Sequence, residues 1–154
     1  MKAMIDSPRV LDVAPIPTAV IRERVPQREL SRFVPAACGE VWNFLKAAGI
    51  KGGRHVARYG DQQGMVEVGA EVPEVFEGTE RVQCSRLPGG KVVTVTHYGP
   101  YGGLGAAHGA IHAWLEEQGK EPGISWEIYG HWEEIWNADA SKIRTDVFYL
   151  LEEC

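Results

Sequence analysis

Glu127 and Tyr129 stand one residue apart in Ile124-Ser125-Trp126-Glu127-Ile128-Tyr129-Gly130. The segment is rich in β-branched and aromatic residues, which predicts a strand. Strand alternation then places Glu127 and Tyr129 on one face and Trp126 and Ile128 on the other. A carboxylate set among rings supports two chemistries. As an anion it neutralises a cationic ligand while aromatic faces stack on that ligand. With its pKa raised by desolvation it acts as a general base toward water, and Tyr129 positions an electrophile or donates a proton. The plainer alternative is a surface glutamate on a half-exposed strand. The rings that would line such a pocket are Tyr59, Tyr98, Tyr101, Trp114, Tyr129, Trp132, Trp136 and Phe148, with Tyr149 in the same aromatic set. Large aromatics in small domains mostly belong to the core, and Trp114 fits either a core or a pocket floor.

Other chemistry-bearing patterns are weaker. His108, His112 and Glu116 follow one another at helical i, i+4, i+8 spacing, as two zinc-binding histidines on a helix would. The H-E-x-x-H arrangement is missing, so the expected meaning is a partly exposed helix face and no metal. Gly99-Pro100-Tyr101-Gly102-Gly103 follows a strand but lacks the G-K-[ST] ending of a phosphate loop. No Ser–His–Asp or Cys–His signature appears, and no cofactor is expected.

The elements that must position Glu127 emerge from an internal repeat. Residues 36–60 align without a gap on residues 106–130 at an offset of 70. Ala36, Ala37, Gly39, Leu45, Gly49, Gly53, Tyr59 and Gly60 meet identical residues, and Ala57 stands opposite Glu127. An apolar residue in one copy and a carboxylate in the other suggests a task beyond scaffolding. Val34, Ala37, Val41, Phe44 and Leu45 form one helical stripe; Leu104, Ala107, Ile111, Trp114 and Leu115 form its counterpart. Gly49 and Gly119 stand where a left-handed helix cap is expected. Strands are predicted at 18–25, 54–60, 65–72, 80–87, 91–98, 124–130 and 144–151, and residues 1–10 read as a loose arm. The unit is strand–helix–strand–strand, twice. The expected fold is α+β: a tandem pseudo-twofold repeat with antiparallel sheets, helices on one face and a central ligand pocket. One domain spans 1–154, with repeat 1 at about 11–73, a linker at about 74–90 and repeat 2 at about 91–152.

Composition narrows the class. The 154 residues are 44% hydrophobic, ordinary for a globular domain. A formal charge of −5 argues against direct nucleic-acid binding. No apolar run is long enough to span a bilayer, and no secretory signal is legible. Cys38, Cys84 and Cys154 leave one thiol over in any disulfide scheme, so reduced thiols in a cytoplasmic protein are expected.

The segments Thr96-His97-Tyr98-Gly99-Pro100-Tyr101-Gly102-Gly103-Leu104, GAIHAWL (109–115), WEIYG (126–130) and KIRTDVFYL (142–150), with GMVEVGAEVP (64–73), resemble the GyrI-like small-molecule-binding family over roughly 11–152. That family includes the effector-binding domains of MerR-type and AraC-type multidrug regulators; the resemblance here is to a stand-alone member without a helix-turn-helix. It implies tandem strand–helix–strand–strand units and a pocket for amphipathic, aromatic and cationic compounds. The family's pocket glutamate lies in an E-x-Y segment and falls on Glu127. Three functions follow from the resemblance: a binder used in sequestration, sensing or detoxification; a hydrolase opening cyclopropanoid-type toxins with Glu127 as base; or a gyrase-inhibitor-like interaction module. The expected partner is a small molecule, with no membrane and no named partner protein. The chain departs from the family after WEIYG, where an Asp-Pro turn is replaced by HWEEIWNADAS (131–141), which adds Trp132 and Trp136.

Overall fold

The computed structural model describes residues 4–60, 64–130 and 134–153. In chain order the elements are β1 (Met4–Ile5), β2 (Arg9–Val13), β3 (Ile16–Arg24), α1 (Leu30–Ala48), β4 (His55–Tyr59), β5 (Met65–Glu71), β6 (Gln83–Leu87), β7 (Gly90–Tyr98), α2 (Leu104–Glu117), β8 (Ser125–Tyr129), the short α3 (Ile135–Ala138) and β9 (Arg144–Glu153). The chain divides into two compact units, Ala14–Gly89 and Met1–Val13 with Gly90–Cys154. The expected α+β class is observed, and every described strand pairing within a unit is antiparallel.

In the Ala14–Gly89 unit, β5 lies between β3 and β4, and β6 pairs with the other edge of β3. Helix α1 buries Ala37, Val41 and Leu45, the predicted stripe. It stops at Gly49, whose φ of 71° is left-handed, and Ile50 N donates back to Leu45 O at 2.9 Å. That six-to-one bond is a Schellman cap, which glycine enters without a Cβ clash. Gly69, in the middle of β5, faces Val20 of β3. A Cβ built on it would lie 1.8 Å from the Ala19 carbonyl oxygen, so two backbones approach here as only glycine permits.

The second unit repeats the order. Here β9 lies between β7 and β8, and α2 covers one face with Ala107, Ile111 and Leu115 against Val93, Val95, Val147 and Tyr149. Helix α2 ends on the same device: Gly119 has φ 67° and Lys120 N donates to Leu115 O at 2.9 Å. Pro26 and Pro100 each lead a short 3-10 turn into a helix. The helix starts are 74 residues apart while β4 and β8 are 70 apart, so α1 carries about one extra turn at its N-terminus.

The amino-terminal arm departs from expectation. Met4–Ile5 and Arg9–Val13 pair antiparallel with β7. Thr96 N donates to Asp6 Oδ1 at 2.8 Å, and Arg9 salt-bridges Asp6. The physical reason is the edge of β7, whose unpaired N–H and C=O groups recruit the nearest extended segment. Residues 11–13, assigned to the first repeat by sequence, accordingly pack in the second unit.

Leu115 is 2% exposed within the α2 core. Leu115→Ala is expected to cost about 2–5 kcal/mol, since a buried leucine loses transfer energy and leaves a cavity. Urea denaturation measures this; a loss below about 1 kcal/mol would contradict the packing.

Candidate functional site

Strand registers define rows of side chains that share a face. In the second unit, Val95, Val147 and Glu127 form one row, with His97, Thr145 and Tyr129 on one side of it and Val93, Tyr149 and Ser125 on the other. All lie on the face covered by α2, because Val93, Val95, Val147 and Tyr149 pack against that helix. The matching rows of the first unit are Ile21–Val68–Ala57, Glu23–Val66–Tyr59 and Ala19–Ala70–His55. Ala57 and Glu127 thus hold equivalent positions opposite Val68 and Val147.

Glu127 is buried, 6% exposed. Its carboxylate accepts from Tyr129 Oη at 2.5 Å and meets His108 Nε2 at 2.6 Å. His108 Nδ1 lies 2.7 Å from Tyr149 Oη, and His112 Nε2 lies 3.0 Å from that same oxygen. Hydrogen-bond inventory orders these contacts. An ionised Glu127 only accepts, so His108 Nε2 carries the proton; a neutral His108 then accepts at Nδ1 from the Tyr149 hydroxyl. The Tyr149 oxygen is left to accept from His112 Nε2–H. Burial, reinforced by the Glu127 charge and opposed by a hydrogen bond with Ser125, pushes the Tyr149 hydroxyl up to about 12, so it keeps its proton. A chain of hydrogen bonds therefore runs from exposed His112 to buried Glu127. Such a chain can hold a compensated buried anion or move a proton toward it.

The rings distribute around this centre. Tyr101 meets Tyr129 edge-on at 5.6 Å. Tyr149 is flanked edge-on by His108 and His112 at 5.6 and 5.3 Å. Trp114 is half-buried and packs on the α2 core. Trp136 is buried, with Cη2 3.0 Å from where a Cβ on Gly130 would stand, so it packs on the end of β8. Tyr98 is partly exposed and has the opposite strand parity from His97. Phe148 stacks on Trp126 at 5.6 Å, on the sheet face away from Glu127. Tyr59 holds the place equivalent to Tyr129 in the other unit. Trp132 lies outside the described residues.

Sequence reasoning missed two groups. His108 and His112 do not merely form a partly exposed face: both reach Tyr149, while Glu116 is exposed. The helix points these positions at the β8–β9 pair, where Glu127 and Tyr149 offer polar partners. Tyr149 rather than Phe148 joins Glu127, because β9 alternates and Val147, opposite Glu127, shares parity with Tyr149. The repeat held the signal. His108, His112 and Glu127 replace Cys38, Trp42 and Ala57 at the 70-residue offset, three changes at positions that converge, while Tyr149 answers Ala70 only through the strand registers. Cys38 sits 4.0 Å from the Gly69 carbonyl, and burial pushes its thiol up to about 11, which suppresses the reactive thiolate. Cys38 and Cys84 carry free thiols. Among the described residues no group of three His, Cys, Asp or Glu side chains is placed to hold a metal ion, and no helix is long and apolar enough to cross a membrane.

His97 is fully buried, and neither ring nitrogen has a partner among the described residues; the Thr145 hydroxyl beside it shares that condition. Burial holds the His97 imidazole below its ordinary 6.5, with the Glu127 charge opposing. The unfolded chain takes up this proton below pH 6.5 and the native state resists it. His97 thus contributes stability above pH 6.5 that is lost as pH falls toward and through the lower native value. Denaturation midpoints between pH 8 and pH 5, about the range spanned by histidine titration, are expected to fall less in His97→Gln than in the wild type. Equal falls would assign the acid sensitivity elsewhere.

Solved structures of other proteins share this fold. The EcmrR C-terminal domain superposes with a TM-score of 0.75 at 22% identity, covering 96% of this chain and 98% of that one. The structure of SAV2435 bound to tetraphenylphosphonium gives 0.64 at 10% identity, covering 94% and 93%. A hydrolase encoded by lin2189 from Listeria innocua gives 0.55 at 13% identity, covering 93% and 90%. No curated protein matches the sequence. The family model for the GyrI-like small molecule binding domain matches residues 6–148, nearly the whole chain, and the protein therefore belongs to that family.

Proposed function

We propose that the chain is a single domain, built from two repeats, that binds hydrophobic, aromatic, cationic small molecules with Glu127 as the anionic anchor. The observation that carries this reading is a buried glutamate among tyrosines at a position where the other unit has alanine. Burying a carboxylate carries a desolvation cost that Tyr129 and His108 offset, and the first unit folds with alanine in its place, which supports a use for the charge beyond the fold. Tyr101 and Tyr129, edge-to-face, offer ring surface for a planar or propeller-shaped ligand. The tetraphenylphosphonium held by SAV2435, a protein of the same fold, is a ligand of this chemistry. Free thiols at Cys38 and Cys84 suit a reducing compartment, and we place the protein in the cytoplasm.

One observation favours a second reading, hydrolysis of a strained electrophile. The hydrogen-bonded path His112–Tyr149–His108 donates toward Glu127 and would hold its carboxylate in place to take a proton from water, which Glu127 would then return to the carbon leaving group of the opened ring. The two readings separate in one experiment. The protein is titrated with tetraphenylphosphonium and with a cyclopropane-bearing electrophile, following tryptophan fluorescence and product mass. Saturable quenching without consumption supports the binder, consumption of the electrophile supports the hydrolase, and silence in both channels overturns the site.

A further inference from the structure

The polar row beside Glu127 carries more than the anchor requires. Thr145 is the central residue of the row His97–Thr145–Tyr129, paired across β9 with both neighbours. Both His97 and Thr145 are fully buried, and His97 Nδ1, His97 Nε2 and Thr145 Oγ1 have no hydrogen-bond partner among the described residues. A buried polar atom without a partner forfeits the hydrogen bond it made with water, so clusters of them are rare and ask for an occupant. Here three such atoms belong to two cross-strand neighbours, on the face shared with Glu127, and the third member of their row hydrogen-bonds the Glu127 carboxylate.

The other unit shows that the scaffold does not need them. The equivalent row is Glu23–Val66–Tyr59, and buried Val66 does the packing that Thr145 does here. Threonine differs from valine by a hydroxyl in place of a methyl, and valine fills the equivalent place in the other unit, so the hydroxyl is an addition to the fold rather than part of its core.

We infer that His97 and Thr145 form a polar subsite that takes a hydroxyl group of the ligand, one row from the Glu127 anchor; the inference rests on Glu127 being the ligand anchor. A hydroxyl both donates and accepts, and so can a neutral imidazole and a threonine hydroxyl. Burial keeps His97 in the neutral form that retains one accepting nitrogen. Ligands would be sorted by two features together: a cationic aromatic body and a hydroxyl a short reach from it. An analogue lacking the hydroxyl would leave the pair as unpartnered as it is in the free protein and would forgo the bond that the hydroxyl gains.

The test uses two cations that differ in one group, propyltriphenylphosphonium and (3-hydroxypropyl)triphenylphosphonium, titrated into the full chain by calorimetry. The wild type is expected to bind the hydroxyl compound about tenfold more tightly, the worth of one buried hydrogen bond. Thr145→Val should erase that preference, leave the propyl compound's affinity unchanged, and keep or raise the melting temperature of the free protein. Nitrogen-15 spectra of the wild type should show the His97 ring responding to the hydroxyl compound and not to the propyl one. Equal wild-type affinities, a preference that survives Thr145→Val, a silent His97 ring, or a Thr145→Val variant that melts markedly earlier or fails to fold would each overturn the subsite while leaving the anchor intact. Failure of both cations to bind would overturn the anchor itself, and the subsite with it.

Discussion

Glu127→Gln is expected to weaken tetraphenylphosphonium binding by about 2–5 kcal/mol, roughly 30- to 4,000-fold in Kd. The expectation comes from the bonds around the carboxylate. Tyr129 and the His108 Nε2–H both point at it. A glutamine in the same place keeps the volume but loses the charge, and its amide nitrogen must face one of two donors. If it faces His108, the imidazole has to move its proton to Nδ1, which then opposes the proton on the Tyr149 hydroxyl. The substitution therefore removes the counter-charge and disturbs the relay behind it. Neutral triphenylphosphine oxide separates these effects: it should lose far less affinity than the cation. If Glu127 is instead a general base toward a neutral electrophile, the same variant should lower turnover by roughly 10²–10⁴-fold with binding of that electrophile nearly retained. Unchanged affinity for the cation together with unchanged turnover would make Glu127 a bystander.

The second large effect is structural. Gly69→Ala is expected to destabilise the chain by about 3 kcal/mol or more, because overpacking against backbone cannot be relieved by a side-chain rotamer. The new Cβ would stand 1.8 Å from the Ala19 carbonyl oxygen and 2.9 Å from Val20 Cα. Relief requires β3 and β5 to separate, and their pairing runs from Thr18↔Glu71 to Arg24↔Met65. The Gly69 carbonyl also lies 3.2 Å from His55 Nδ1, so a shift would loosen that contact too. Gly39→Ala supplies the control: it lies within α1 with nothing inside 4 Å of its Cβ position, and should stabilise by about 0.5–1 kcal/mol. Urea midpoints of the two variants should move in opposite directions. A Gly69→Ala chain as stable as the wild type would refute the close approach of these strands.

Local periodicity decided much of this protein before any tertiary contact forms. The stripes Ala37–Val41–Leu45 and Ala107–Ile111–Leu115 predict the buried faces of both long helices. Gly49 and Gly119 mark the left-handed caps, because only there does the chain need a conformation that a Cβ opposes. Alternation alone puts Glu127 and Tyr129 on one face, and the repeat singles out Glu127 against Ala57. These readings rest on a residue's own backbone state or its nearest neighbours, which the residue types constrain directly. What pairs with what is a different matter. That β9 lies between β7 and β8 sets Val147 opposite Glu127, Tyr149 rather than Phe148 on its face, and Thr145 beside His97. That α2 crosses this face brings His108 and His112 onto Tyr149. The arm at Arg9–Val13 extends only because β7 presents an edge to it. Register and docking join residues tens of positions apart, and a shift of one residue in β9 would exchange Tyr149 for Phe148 while leaving each local pattern intact, so the relay behind Glu127 exists only in the folded chain.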